Sequence, residues 1–193
     1  MYDRFLYKVR FLLTLATLAL VLGCSKSNHS SVPVSISVKT PYKYDGRIGR
    51  IWGGDNFEVV CEGKIHYAFI RGIDTPEPGQ PYYREAIEKL VKLCRKKKAT
   101  INVIDRDEMK REVCDLTVTD PKTMVQTDPA LELVKSGLAW HVENNEEWSR
   151  KYKLAEARAR EERKGIWSQP NPVPPWEFWE NQIGEFKHKT EGH

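Results

Sequence analysis

Alternating apolar and polar positions predict strands at the start of the globular part of the chain. Three closely spaced runs are rich in β-branched and aromatic residues: RIGRIW from Arg47, NFEVVC from Asn56 and IHYAFIRGI from Ile65. Glu62 and Gly63 fit a tight turn between the second and third runs. Short connections between such runs are typical of antiparallel strands, so we predict a three-stranded meander.

The spacing changes to that of a helix after Pro81. Apolar positions recur at Tyr83, Ile87, Leu90 and Cys94, and the basic run RKKK follows them directly. Cations at the end of a helix complement its dipole, although such a run can also bind phosphates. The next two runs, TINVI and EVCDLTV, alternate again and predict two further strands.

Two more helices are predicted after these strands. The first is capped by Asp128, has Pro129 in its first turn and ends at Gly137. The second extends from about Glu146 to Lys164 and is followed by Gly165. Its apolar stripe consists of four residues at helical spacing: Trp148, Tyr152, Ala155 and Ala159.

The order of predicted elements is three strands, one helix, two strands and two helices. An OB-fold barrel has five short strands, and a helix inserted between the third and the fourth fits this order. We therefore predict an α+β fold, a five-stranded OB-fold β-barrel with three α-helices. OB-fold barrels often bind oligonucleotides or sugars, but the fold alone does not assign a function.

Residues 1–23 have the pattern of an export signal. Basic residues precede the apolar run FLLTLATLALVL, which is too short to span a bilayer. The end of this segment, LVLGC, resembles the lipobox of bacterial lipoproteins. The resemblance implies that Cys24 is lipidated and holds an exported protein on a membrane of the cell envelope, facing the periplasm or the exterior. An ordinary cleaved signal is the alternative interpretation.

Three further segments follow the predicted signal. Residues 24–41 are rich in Ser and fit a flexible tether. Residues 42–169 are long enough for one domain, and residues 170–193 form a tail rich in Pro and Trp. Residues 1–23 carry three basic and one acidic side chain, so their removal lowers the formal net charge from +4 to about +2. Such a charge permits a polyanionic partner without requiring one.

The cysteine content does not indicate a disulfide framework. If Cys24 is lipidated, Cys61, Cys94 and Cys114 remain, and an odd number cannot pair completely. We predict buried free thiols, with a bridge between Cys94 and Cys114 as the alternative.

The chain resembles the staphylococcal nuclease, or thermonuclease, family in three segments that occur in the family's order. They are WGGDNFEVVCEGKIHYAFIRGIDTPE (52–77), KREVCDLTV (110–118) and LVKSGLAWH (133–141). The closing GIWSQPNPVPPWEFW is similar to the end of many exported bacterial members. The resemblance implies a calcium-dependent endonuclease that cleaves DNA and RNA, preferably single-stranded or frayed, and leaves 3′-phosphates. We expect such a protein to be a monomer.

The resemblance also implies roles for individual residues. The family holds calcium with the aspartate of a GD turn, the aspartate of DTPE and the carbonyl of the next residue, which here are Asp55, Asp74 and Thr75. Calcium prefers hard oxygen ligands in a flexible geometry, as this set provides. The family's glutamate, which acts as general base or positions water, corresponds to Glu77. The second of two phosphate-binding arginines corresponds to Arg111.

The first phosphate-binding arginine is missing. It should stand five residues before Asp74, where this chain has Phe69, and a phenyl ring donates no hydrogen bond. Arg71 is the candidate substitute, because it lies two residues further along the same predicted strand, about 6.6 Å away on the same face. Loss of one such donor costs on the order of 10² to 10³ in rate. A catalytically impaired or dead module that binds nucleic acid or an envelope partner is therefore the second hypothesis.

Other positions near the expected site also depart from the family pattern. Gly53 replaces an aspartate near the metal, and Asn56 replaces the usual threonine. Met109 and Glu143 stand where the best-known member has tyrosines that stack on the nucleotide.

Trp140 and His141 are close enough in sequence to contact nucleic acid in place of those tyrosines. A third hypothesis, an OB-fold barrel that binds peptide or glycan, gives no reason for the combination of Asp74, Glu77 and Arg111.

Overall fold

The computed structural model describes residues 41–142 and 149–182. The predicted signal peptide, nearly all of the predicted tether and the last part of the tail lie outside these ranges, as do Cys24, Glu143 and Trp148. Within the described ranges, no helix combines the length and apolar character needed to cross a membrane.

The long strands are joined in a closed cycle. In chain order the strands are β1 (Tyr42–Ile51), β2 (Asn56–Cys61), β3 (Lys64–Ile70), β4 (Ile73–Asp74), β5 (Lys98–Arg106), β6 (Glu112–Thr119), β7 (Gln126–Thr127) and β8 (Trp140–His141). β1 pairs antiparallel with both β2 and β5, β2 with β3, and β5 with β6. The parallel pairing of β3 with β6 completes the cycle, as the prediction of a five-stranded OB-fold barrel requires.

The three predicted helices are present as α1 (Tyr83–Cys94), α2 (Pro129–Lys135) and α3 (Arg150–Glu161). Asp128 caps α2 as predicted, because its Oδ1 accepts a hydrogen bond from the N–H of Leu131 at 3.1 Å. The predicted start of the last helix, Glu146, lies outside the described residues. A 3₁₀ turn (Gly165–Ser168) follows α3, and residues 175–182 of the tail are also helical, which the sequence did not predict.

Alternate residues of the strands fill the barrel. Phe57 and Val59 of β2 and Ile101 and Val103 of β5 are fully buried, and Leu90 of α1 packs into the same core. Successive side chains of a strand point to opposite faces, so burial of every second residue places the intervening ones on the outer surface. Side chains that could contact a substrate therefore lie on the outer surface of the strands and on the loops between them.

A smaller apolar cluster joins the C-terminal part to the domain. Trp140, Ile166 and Trp167 are buried together, and Trp176 of the tail packs against them. The rings of Trp140 and Trp167 meet edge to face with their centroids 5.4 Å apart, a favourable arrangement for aromatic pairs. The described part of the proline-rich tail is thus packed on the domain.

The three cysteines of the described chain are free thiols, as predicted, and the alternative bridge between Cys94 and Cys114 is absent. Cys94 and Cys114 are buried, whereas Cys61 is partly exposed, so the prediction of burial is wrong for that residue. Burial raises the pKa of the Cys94 thiol to about 12 and raises the pKa of Cys114 as well. These two thiols therefore stay protonated and unreactive at neutral pH.

Candidate active site

Two loops that carry predicted metal ligands are hydrogen-bonded to each other. Asp55 follows β1, and its side chain is only 3% exposed. Its Oδ1 accepts hydrogen bonds from Oγ1 of Thr75 at 3.1 Å and from Nδ2 of Asn56 at 3.2 Å. Its carbonyl also accepts from the N–H of Ile70 at 2.9 Å. The Asp55 loop is therefore fixed against the end of β3 and against the Asp74-Thr75 segment.

The backbone of the second loop is held by the pairing of β4 with β8. Asp74 lies opposite Trp140 in this pair, Oδ1 of Asp74 is buried, and Thr75 is buried too. Two carboxylates and a backbone carbonyl from adjoining loops are the hard oxygen donors that calcium accepts. In the described chain no three His, Cys, Asp or Glu side chains group as metal ligands, and the predicted set contains only two. The donor chemistry thus fits a calcium ion with several water ligands.

Two glycines allow the Asp55 loop to approach its neighbours. A Cβ on Gly54 would lie 2.7 Å from both Cγ2 of Thr75 and Cβ of Ala86, closer than real Cβ atoms approach other atoms. A Cβ on Gly53 would lie 2.5 Å from Nδ2 of Asn56. The amide of Asn56 therefore occupies the space that a side chain at position 53 would need. Gly53 in place of the family's aspartate and Asn56 in place of its threonine are thus sterically linked.

Glu77 lies in a turn that Gln80 braces from within. The N–H of Glu77 donates to Oε1 of Gln80 at 2.8 Å, and the N–H of Gln80 donates to the carbonyl of Glu77 at 2.9 Å. Nε2 of the buried Gln80 donates in turn to the carbonyl of Val173 at 2.8 Å. This chain of hydrogen bonds connects the backbone under Glu77 to the proline-rich tail. Local sequence patterns could not reveal the role of Gln80, because its tail partner is 93 residues away.

Arg111 is held between Asp107 and Phe69. Its Nε donates to Oδ2 of Asp107 at 2.5 Å, and its backbone N–H donates to Oδ1 of the same carboxylate at 2.8 Å. Its guanidinium carbon lies 4.1 Å from the centroid of the Phe69 ring. Cations stack favourably on aromatic faces, so the Phe69 ring supports the guanidinium of Arg111. Position 69 is the one at which the family has its first phosphate-binding arginine. Sequence reasoning missed Asp107, although its position four residues before Arg111 was a usable signal.

Arg71 is directed to a carboxylate. β3 ends at Ile70, so the prediction that Arg71 belongs to this strand is wrong. The guanidinium of Arg71 donates through Nε to Oδ1 and through a terminal nitrogen to Oδ2 of Asp115, the latter at 2.9 Å. Nδ2 of Asn102 donates to the same carboxylate at 3.2 Å. To bind a phosphate, Arg71 has to give up this two-point ion pair, and its role as a substitute remains a prediction.

Trp140 and His141 are placed for packing. Both are buried, at 4% and 9% exposure, which leaves no open face for a nucleotide and corrects the binding role that we predicted for them. Nε2 of His141 lies 2.5 Å from Oγ of Ser149, and the N–H of His141 donates to Oε1 of Glu156 at 3.3 Å. These contacts tie β8 to the start and the middle of α3.

Comparison with known families identifies the family of this chain. The model of the staphylococcal nuclease homologue family matches residues 69–169, more than half of the chain. The chain belongs to the staphylococcal nuclease family. The match covers the DTPE turn, Asp107 and Arg111, and its start at residue 69 leaves out the Asp55 loop.

Individual relatives come from plants and bacteria. An uncharacterized 38.1 kDa protein of Capnoides sempervirens is 33% identical over 133 residues, 69% of this chain and 37% of that protein. The probable staphylococcal-like nuclease CAN4 of Oryza sativa is 34% identical over 119 residues, 62% of this chain and 23% of that protein. An uncharacterized endonuclease of Escherichia coli O157:H7 is 28% identical over 137 residues, 71% of this chain and 85% of that protein. The chain thus spans well under half of the two plant relatives.

Proposed function

We propose that this protein is a calcium-dependent endonuclease that hydrolyses phosphodiester bonds of single-stranded or frayed DNA and RNA and leaves 3′-phosphates. Membership of the staphylococcal nuclease family and relatives named as nucleases support this function. The observation that carries it is the hydrogen bond between Thr75 and Asp55, since it brings the two ligand-bearing loops together.

Asp55, Asp74 and the carbonyl of Thr75 are the groups that would hold calcium. When bound, the ion supplies positive charge that neutralises the phosphate oxygens as negative charge builds up in the transition state. The Asp55 carboxylate is orientated before binding by the hydrogen bonds from Thr75 and Asn56.

Glu77 accepts the proton of the attacking water in this proposal. The Thr75-Pro76 step separates it from Asp74, so one carboxylate binds the metal while the other serves as base. A base must be held within hydrogen-bond reach of the proton that it removes. The hydrogen bonds from Gln80 fix the backbone from which the Glu77 side chain extends.

Arg111 binds the phosphate oxygens. Its contacts to Asp107 use the backbone N–H and Nε and not the terminal nitrogens. Donors that are positioned in advance stabilise the transition state without reorganisation during the reaction. Asp107 and the Phe69 ring provide that positioning for Arg111.

The second candidate function is a nucleic-acid-binding module with little or no turnover. Two observations favour it: Phe69 cannot donate to a phosphate, and Arg71 is engaged by Asp115. Such a module would bind nucleic acid through charge, with an affinity that falls as salt rises.

Digestion of single-stranded DNA by the purified protein, with calcium or with chelator, separates the two functions. We expect hydrolysis only with calcium, and a strong loss of rate in Glu77→Gln. Glu88→Gln, which changes an exposed carboxylate of α1, is the matched control and should keep the full rate. Oligonucleotide binding without hydrolysis at high enzyme concentration would favour the module, and absence of both would refute both functions.

We also propose that the mature protein is exported and anchored through lipidated Cys24. The basis is the apolar run and the LVLGC sequence alone. Expression of wild type and Cys24→Ala, followed by membrane fractionation and mass spectrometry of the mature N-terminus, tests this proposal. Wild type should carry acyl chains and sediment with membranes, and the variant should do neither.

A further inference from the structure

Two large aromatic side chains are exposed and stacked on each other beside the candidate active site. Trp52 is 38% exposed and Tyr67 is 48% exposed. Their ring centroids are 5.5 Å apart and their planes differ by 29°. The backbone of Trp52 is fixed, because its carbonyl accepts a hydrogen bond from Oη of Tyr83 at 2.8 Å and its N–H donates to the carbonyl of Asn56 at 3.2 Å. The pair is therefore a preformed, solvent-facing aromatic surface.

This surface is continuous with the groups assigned to catalysis. Trp52 lies three residues before Asp55. Tyr67 lies two residues before Phe69 on β3, so the two rings share the outer face of the strand at a spacing of about 6.6 Å. The guanidinium of Arg111 lies over the Phe69 ring. An aromatic row consisting of Trp52, Tyr67 and Phe69 thus leads to the phosphate-binding arginine.

The chemistry of this row matches an unpaired nucleobase. Bases stack on aromatic side chains in single-stranded nucleic-acid sites, and OB-fold proteins use the face of the second and third strands for oligonucleotides. Arg47 and Arg50 are exposed on β1, the strand that ends directly before Trp52, and add positive charge. The nearby carboxylate of Glu58 accepts a hydrogen bond from the N–H of Arg50 at 3.2 Å.

We propose that Trp52 and Tyr67 form a base-stacking subsite for a nucleotide that flanks the scissile phosphate in single-stranded DNA or RNA, an inference that rests on the proposed nuclease function. Bases in a duplex keep their faces covered by their neighbours, so this subsite selects single-stranded or frayed substrate. The subsite takes the place of the stacking positions at Met109 and Glu143, which lack aromatic rings.

The test compares two probes of equal length and charge in the presence of chelator, so that binding is measured without hydrolysis. One probe is oligodeoxyadenylate about 12 nucleotides long, within the range of OB-fold site sizes, and the other is its abasic counterpart. The full chain should bind the first probe more tightly. Trp52→Ala and Tyr67→Ala should each weaken that binding by about 5- to 150-fold, the range found when a stacked aromatic is removed, and leave binding of the abasic probe unchanged.

Two control variants separate stacking from damage to the fold. Tyr67→Phe keeps a ring and should retain the affinity, and Leu154→Ala removes an exposed apolar side chain from α3 and should change nothing. Tyr67 is on a strand and not in the Asp55 loop, so its variant tests the subsite without disturbing a metal ligand. Equal affinity of wild type for the two probes, or unchanged binding in both alanine variants, overturns the subsite even if hydrolysis is normal. Base-dependent binding that both variants lose supports it even if the protein proves unable to hydrolyse DNA.

Discussion

Phe69 replaces the expected phosphate-binding arginine, but its ring contacts Arg111 and helps to position that guanidinium. The guanidinium carbon of Arg111 lies 4.1 Å from the ring centroid, and Asp107 holds its Nε from the side. The ring contributes orientation but no hydrogen bond to a phosphate. A replacement at position 69 therefore changes two properties at once, the number of donors and the position of Arg111.

Phe69→Arg should raise the rate of hydrolysis if the missing donor limits catalysis. One such donor is worth on the order of 10² to 10³ in rate, which corresponds to about 2.7–4 kcal/mol of transition-state stabilisation. The cation–π contact that the substitution removes provides less, roughly 0.5–2 kcal/mol. Initial rates with calcium at saturating substrate measure the effect. Phe69→Leu, which removes the ring without adding a donor, should be slower than wild type. No gain in Phe69→Arg would refute the explanation that the absent arginine limits the rate.

Gly53 and Asn56 have to be exchanged together. A side chain at position 53 meets the Asn56 amide, so Gly53→Asp alone should displace that amide from Asp55 and weaken calcium binding. The double variant with Asn56→Thr removes the clash and adds a carboxylate near the metal, so it should bind calcium more tightly than either single variant. Calorimetric titration with calcium of wild type, the two single variants and the double variant measures the coupling between the two positions. Purely additive changes in calcium affinity would contradict that coupling.

At the scale of elements, the tail and the DTPE turn form one unit. Gln80 connects the backbone of Glu77 to Val173, and a Cβ on Gly79 would lie 3.6 Å from the ring of Phe178 in the tail helix. The helical residues 175–182 thus lie under the turn that carries the proposed base. Loss of this support should affect catalysis more than substrate binding.

Gln80→Leu should lower kcat while KM changes little. The variant removes the hydrogen bonds that the Gln80 side chain makes with the N–H of Glu77 and the carbonyl of Val173, each worth about 0.5–1.5 kcal/mol, and so loosens the turn. A stop after Gln169 breaks the same connection and should give a similar loss of kcat. The two changes combined should be no worse than the truncation alone. A chain ending at residue 182 is the control, and an unchanged kcat in Gln80→Leu would show that the turn needs no brace.

Local periodicity predicted the long strands and the helices because each presents one buried face over several residues. Local periodicity did not predict strands that are only two residues long, or strand segments whose pairing partner lies far along the chain. β4 and β8 contain two residues each, and β1 begins at Tyr42 instead of Arg47 because its first half pairs with β5, far along the chain. The site residues came from the resemblance, and the structure adds two groups that position them. Gln80 could not be found from local spacing because its partner Val173 is 93 residues away, whereas Asp107 lies four residues before Arg111 and could have been.

At the scale of the whole molecule, a buried carboxylate links four strands of the barrel. Glu112 of β6 is 2% exposed. Its two oxygens accept hydrogen bonds from Oη of Tyr42 at 2.6 Å and Oη of Tyr44 at 2.5 Å, both on β1. Nδ1 of His66 on β3 lies 2.9 Å from Oε1, and Arg106 of β5 donates at 3.4 Å. Local sequence patterns could not predict this cluster, because its members are spread over 70 residues.

The cluster keeps Glu112 ionised in the folded protein. Burial raises the pKa of this carboxyl, but the hydrogen bonds from Tyr42, Tyr44 and His66 outweigh burial and hold the pKa below its ordinary value of 4.5. Conversely, burial and the contact with Glu112 raise the pKa of Tyr44, which therefore remains a donor. A carboxyl whose pKa is lower in the folded than in the unfolded state binds its proton preferentially when unfolded.

Glu112→Gln should destabilise the barrel at neutral pH and much less in acid. The stabilisation from Glu112 is complete above the unfolded pKa near 4.5 and is lost as the pH falls through the lower folded value. Removing a charged hydrogen-bonding partner from a buried cluster should cost about 1–3 kcal/mol at neutral pH. Urea unfolding of wild type and variant at a series of pH values, from about pH 7 down through 4.5 and below, measures the difference, with exposed Glu88→Gln as control. A difference that stays constant or grows in acid would show that Glu112 is protonated in the fold, and that the four strands are joined by neutral hydrogen bonds alone.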